Sequence, residues 1–152
     1  MTRLLSFVII IVCLAVNPVF AAASGHIQKK SPYSVSETLD RLEQVLKEKN
    51  ITVMARLDHA GNAKKVDMEL RPTQLLIFGN PKLGTQLMRE EQTAGIDLPL
   101  KALAWKDLSG QVWLAYERPE ALAERRGIAA DNAVIRTIAK ALEGLTNAAI
   151  KR

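Results

Sequence analysis

The fold predicted from the sequence is α+β: a single compact domain, with a mostly antiparallel sheet and helices packed mainly on one face. Three observations carry that prediction. The length, 152 residues, suits one domain. Val112, Leu114 and Tyr116 alternate just after the loop Asp107-Leu108-Ser109-Gly110, which reads as a hairpin, and a hairpin forces antiparallel pairing. The helical segments each show one apolar stripe, and such a stripe needs a sheet face to cover. At 48% hydrophobic and 24% charged, the chain is too apolar for a disordered tail. It carries neither the composition of a collagen fibre nor that of a disulfide-stapled miniprotein.

Residues 1–23 read as a secretory signal peptide ahead of one domain over 24–152. Arg3 supplies the positive start, Leu4 to Val16 is apolar apart from Ser6, and Asn17-Pro18 breaks the run. Small residues at Ala21-Ala22-Ala23 place the cleavage after Ala23. The apolar core is shorter than the ~20 residues that span a bilayer, so no stable membrane insertion is expected after cleavage. Val12 before Cys13 argues against a lipid anchor. Cleavage leaves 129 residues with 20 basic and 16 acidic side chains, a balance of +4. It also removes Cys13, the only cysteine, and with it any disulfide, thiol nucleophile or Cys-ligated metal. The expected destination is the periplasm or the exterior. Lys29-Lys30, Lys64-Lys65 and Arg125-Arg126 are isolated pairs rather than a stripe, so no nucleic-acid partner is expected.

The elements follow in order. A short strand is expected around His26 to Lys30. Ser34-Val35-Ser36-Glu37 is a capping box. Val35, Leu39, Leu42 and Leu46 then form the stripe of a helix closed by Lys47, Lys49 and Asn50. Ile51, Val53, Ala55 and Leu57 alternate with polar neighbours and predict a half-buried strand. Asp58-His59-Ala60-Gly61-Asn62 reads as a loop, and Lys64 to Leu70 as either a helix-like turn or an edge strand. Gln74 to Phe78 is a continuous apolar run, as in a central strand. Gly79-Asn80-Pro81 turns into a helix, with Asn80 as N-cap, Pro81 in its first turn and Leu83, Leu87 and Met88 on its apolar side. Ile96 to Pro99 leads into a strand from Leu100 to Trp105. Beyond the hairpin, Pro119 opens a helix that Gly127 ends. Asp131 is expected to cap a last helix with the stripe Val134, Ile138, Leu142 and Leu145.

Chemistry has few footholds. GxSxG elbows, Walker loops and dinucleotide-binding glycine patterns are all missing from the sequence, so no cofactor is expected. The two histidines, His26 and His59, lack metal-site spacing. Asp58-His59 reads two ways: as an Asx turn before Gly61, or with Asp97 as a weak oxygen and nitrogen metal site. The turn is the simpler reading, and no metal is expected. Gly79-Asn80-Pro81-Lys82 also reads two ways. It is either a plain capped helix start beside a surface lysine, or a site that holds an anion with Lys82 and Thr85. Trp105 and Trp113 fall on the two hairpin strands, as a cross-strand pair or as the floor of an apolar ligand or dimer face.

Longer words carry a family resemblance. LIFGNPKLGTQLM at 76–88, GIDLPLKALAW at 95–105 and GQVWLAYERPEALAERRG at 110–127 resemble the domain of unknown function 302 family, whose members are small bacterial and archaeal proteins, often with a signal peptide. The likeness is densest over 57–127. It implies a compact α+β domain and a homodimer, and it implies no established reaction. It also marks Asp58, His59, Asn80, Pro81, Lys82, Asp97, Pro99, Lys101, Trp105 and Tyr116 as signature positions, expected to converge on one face. The chain departs from the family pattern at Glu117, where asparagine is common, and at Arg126, where histidine is common.

The leading functional expectation is a non-enzymatic periplasmic module that binds a small ligand, with Asn80, Lys82, Thr85, Asp97 and Lys101 as ligand-binding residues and an anion as the ligand class. A second is a cofactor-free enzyme acting on an anionic substrate held by Lys82, with His59 moving a proton and Asp58 or Asp97 orienting it. A third is a structural subunit of an envelope complex, which would expose a large apolar patch.

Overall fold

Five strands form one antiparallel sheet in the order β1-β5-β4-β3-β2. They are β1 (His26–Ser31), β2 (Thr52–Asp58), β3 (Thr73–Gly79), β4 (Leu100–Lys106) and β5 (Val112–Glu117). This computed structural model describes residues 25–152, so the leader and its cleavage point lie outside the described residues. Five helices complete the domain: α1 (Val35–Glu48), α2 (His59–Lys64), α3 (Pro81–Glu90), α4 (Pro119–Arg126) and α5 (Ala133–Ile150), with a 3-10 turn at Gln92–Ile96 between α3 and β4.

The period-two pattern of the strands sorts the sheet into two faces. Leu76, Phe78, Ala102, Ala104, Leu114 and Tyr116 are buried against the helices. Their core partners from α1 are Leu39, Leu42 and Leu46, and from α5 Ile135, Ile138 and Leu142. Truncating one such leucine to alanine costs about 2–5 kcal/mol. The opposite face carries Leu75, Leu103, Trp105 and Trp113, each half-buried, with Lys30 and Lys101 exposed among them. The two tryptophans sit opposite each other in the β4–β5 register and stack with centroids 6.4 Å apart.

Several polar groups inside the domain are paired. Ser31 and Thr38, both buried, share a hydroxyl hydrogen bond of 2.6 Å, and Thr38 also donates to the Ser34 carbonyl at 2.7 Å. Lys29 reaches from the edge strand β1 to α5, donating to Thr146 Oγ1 at 2.7 Å and Asn147 Oδ1 at 2.6 Å. Burial lowers the pKa of its ammonium. Arg56 spans similarly from β2 to α1, pairing with Asp40 at 2.6 Å and Glu43 at 3.1 Å.

Three expectations need correction, and one open alternative is decided. The alternation expected at 51–57 breaks at a β-bulge between Val53 and Ala55. The extra residue reverses the faces, so half-buried Arg56 reaches α1 and Leu57 is 37% exposed. Asp58 to Asn62 is no loop: Asp58 caps α2, its Oδ1 accepting from Gly61 N at 2.9 Å. Of the two readings of Lys64 to Leu70, the structure takes the helix-like turn: the segment pairs with no strand, and the chain leaves α2 through turns, with Asp67 at φ 56°. The cap of α5 is Asn132, not Asp131. Asn132 Oδ1 accepts from Val134 N and Ile135 N at 2.8 and 3.3 Å, and Ile135 takes the buried place expected of Val134.

Candidate functional site

Strand β3 ends at buried Gly79, and Asn80-Pro81 starts α3 within two residues. Asn80 Oδ1 accepts from Lys82 N at 3.0 Å. The Asn80 carbonyl accepts from Leu83 N at 3.1 Å and Gly84 N at 3.0 Å. Pro81 has no N–H to offer. The first-turn donors that an anion would need are therefore already engaged in closing the helix. What remains for an anion at this point is the exposed ammonium of Lys82.

Behind this turn lies a cavity of about 310 Å³ between α3, the ends of β3 and β4, and α5. Its walls are apolar. Phe78 and Gly79 come from β3, Leu83 and Met88 from α3, Leu98 and Pro99 from the lead-in to β4, and Ile138 and Ala141 from α5. Asn80 and Thr85 are its polar members. Met54, the extra residue of the β2 bulge, lines the cavity while remaining 49% exposed, and its Cε lies 3.6 Å from where a Cβ on Gly79 would stand. Two glycines thin the walls. A Cβ at Gly84 would lie 3.5 Å from Leu98, and one at Gly95 only 3.1 Å from the Met88 sulfur. Flexible methionine walls suit a pocket that adapts to an apolar guest.

Asp97 and Lys101 belong to a different place. The Asp97 carboxylate is 15% exposed and accepts from Arg126 Nε at 2.5 Å and Arg125 Nη2 at 3.1 Å. Arg125 also holds Glu117 at 2.5 Å. The Arg126 hydrogen bond, with help from Arg125, lowers the Asp97 pKa. Lys101 donates to the carbonyls of Asp97 and Pro99 at 2.9 and 3.0 Å. The two departures from the family pattern, Glu117 and Arg126, thus meet in one ion-pair cluster through Arg125 and Asp97.

Asp58 and His59 lie at the far end of the sheet. Thr52 pairs with Gly79, whereas Asp58 pairs with Gln74. Six strand residues at about 3.3 Å each separate Asp58 from the α3 start by about 20 Å. The structure therefore does not bring His59 together with Lys82 or Asp97, and the one-face convergence of the signature positions is not found. Among the described residues, no group of three or more His, Cys, Asp or Glu side chains is placed to hold a metal. Sequence reasoning missed the α5 wall of the cavity and Met54. Ile138 and Leu142 read as ordinary core, and a bulge leaves no local signal that would re-aim a methionine.

Comparison with known proteins agrees with this architecture. A solved structure, an uncharacterized conserved DUF302 protein from Bacillus stearothermophilus, superposes with a TM-score of 0.69 over 84% of this chain and 97% of that one, at 20% identity. At that identity the likeness speaks for the fold alone. Curated relatives include proteins named fluoride-specific ion channel FluC 1 from Brucella suis biovar 1 and FluC 2 from Brucella melitensis biotype 1. Each is 44% identical over 113 residues, or 73% of this chain. This chain spans only 44% and 42% of their lengths. The pattern described as "Domain of unknown function DUF302" covers residues 27–145, from β1 to the middle of α5. With nearly every element of the sheet and its helices inside that span, the chain belongs to the DUF302 family.

Proposed function

We propose that this domain is a non-enzymatic binding module of the periplasm that holds a small, mainly apolar molecule in the cavity between α3 and α5. One observation carries the reading: the words that mark the chain in sequence, FGNP at 78–81 and LPL at 98–100, line this cavity. A volume of about 310 Å³ sits at the lower end of small-ligand pockets, which are typically apolar with a few polar groups that set orientation. Asn80 and Thr85 supply those groups, and the Lys82 ammonium stands nearby in the first turn of α3, suited to an acidic head on the ligand. The reading excludes the His59 proton-transfer scheme, since His59 stands at the other end of the sheet. Calorimetric titration with decanoate and decanol tests it. Saturable binding of either, lost in Ala141→Phe, which fills the cavity from α5, is the expected result. Binding that survives in Ala141→Phe, or no binding at all, contradicts it.

A second reading has its own observation. Leu57 on the edge strand β2, and Val66, Met68 and Leu70 after α2, are 37%, 64%, 65% and 47% exposed. Exposed apolar side chains at this density mark contact surfaces. In the longer Brucella proteins named for a fluoride channel, a related domain is part of a larger chain, which suits a role in an envelope assembly. We propose a second copy of the chain as the occupant of this surface. Light scattering then gives a dimer that Leu57→Glu with Met68→Glu converts to a folded monomer. A wild-type monomer at the same concentrations contradicts it.

A further inference from the structure

We propose a second binding site, for a small molecule with a flat apolar body and one carboxylate, in the cleft on the sheet face turned away from α1. The cleft has a volume of about 500 Å³ and lies where β4 begins and β5 ends. Its floor is built by register: Leu75, Leu103 and Ala115 stand side by side across β3, β4 and β5. Trp105 extends that floor and is stacked on Trp113. An aromatic or alicyclic body lies well on such a surface.

The charged end of the cleft is unbalanced. Its two carboxylates, Asp97 and Glu117, are already engaged by Arg125 and Arg126. Lys101 meets only backbone carbonyls, and Arg118 has no ion partner among the described residues. The Nε of Arg118 is shut away from solvent with no hydrogen-bond partner. The rest of Arg118 is only half-buried and lines the cleft, so a ligand carboxylate can accept from its terminal guanidinium N–H groups, with the Lys101 ammonium as a second cation of the same lining. Arg118 is also the N-cap of α4, which has no side-chain cap of its own. The cleft shares the Leu100 and Leu142 walls with the cavity behind α3, but its floor and its cations are its own, so this site does not depend on the reading of that cavity.

The chain has two tryptophans, and both stand at this face, so their indole N–H resonances report on it directly. The test is an NMR titration of the purified protein with naphthoate, and with naphthalenemethanol as its uncharged counterpart. Naphthoate is expected to shift the Trp105 indole signal saturably and the alcohol to fail to saturate over the same range. Arg118→Gln is expected to weaken naphthoate binding by about tenfold or more, with Arg118→Lys recovering part of it. Equal binding of the charged and neutral probes overturns the proposal without recourse to any variant. So does an unshifted Trp105 signal, or an unaltered affinity in folded Arg118→Gln.

Discussion

Asp107 shows how one side chain can hold a hairpin. Its Oδ1 accepts from Ser109 N at 2.9 Å, Gln111 N at 3.0 Å and Ser109 Oγ at 2.7 Å, while Oδ2 accepts from Trp113 Nε1 at 2.7 Å. The Trp113 and Ser109 bonds lower its pKa from 3.8 to about 2. A carboxyl with a depressed folded pKa stabilises fully above its unfolded pKa and loses that contribution as pH falls through the folded value. The hairpin contribution should therefore be intact above about pH 4 and fade between pH 4 and 2. Thermal melts across that window should show a decline attributable to Asp107, absent in Asp107→Asn; equal slopes in both proteins would contradict it. The turn itself was legible, because Asp, Ser and Gly cluster between alternating strands. The Trp113 contact was not, because local pattern says nothing about which loop acceptor an indole will find.

At the scale of elements, caps and stripes were the most legible features. Ser34 accepts from Glu37 N at 3.1 Å, one half of the capping box, while the return bond to the Glu37 carboxylate is not formed among the described residues; Asn50 takes the left-handed conformation at φ 54° that ends α1. Asp131 and Asn132 are both good caps by residue type, and only the backbone decides between them. The structure assigns the role to Asn132, whose side chain also donates to Glu90 on α3 at 2.6 Å. Asn132→Ala should therefore cost about 1 kcal/mol, and Asp131→Ala far less, in urea unfolding. Equal costs would contradict the assignment. Gly61 is bound to its cap in another way: a Cβ there would stand 2.8 Å from Asp58 Oδ2. Gly61→Ala should loosen α2 and accelerate amide exchange at 61–64, while leaving exchange in α1 unchanged. The bulge in β2 was illegible because alternation continues in sequence through Val53, Ala55 and Leu57 even where the pairing slips.

For the whole molecule, the α+β architecture was legible from one hairpin and several one-sided helices, because few arrangements cover those faces. The site was legible in part. Asn80 and Thr85 do line a cavity, yet Asp97 and Lys101 line another, and Lys82 lies on neither wall. A sequence shows which residues end strands, but register and helix packing decide which strand ends meet. Everything proposed for the cavity behind Asn80 turns on whether it holds a ligand. Native mass spectrometry of the purified protein, in wild type and in Ala141→Phe, is the first measurement to make. A retained small molecule, or uptake of added decanoate or decanol, is expected in the wild type alone. A wild-type protein that carries nothing and takes up neither probe, or a variant that binds equally well, would contradict it.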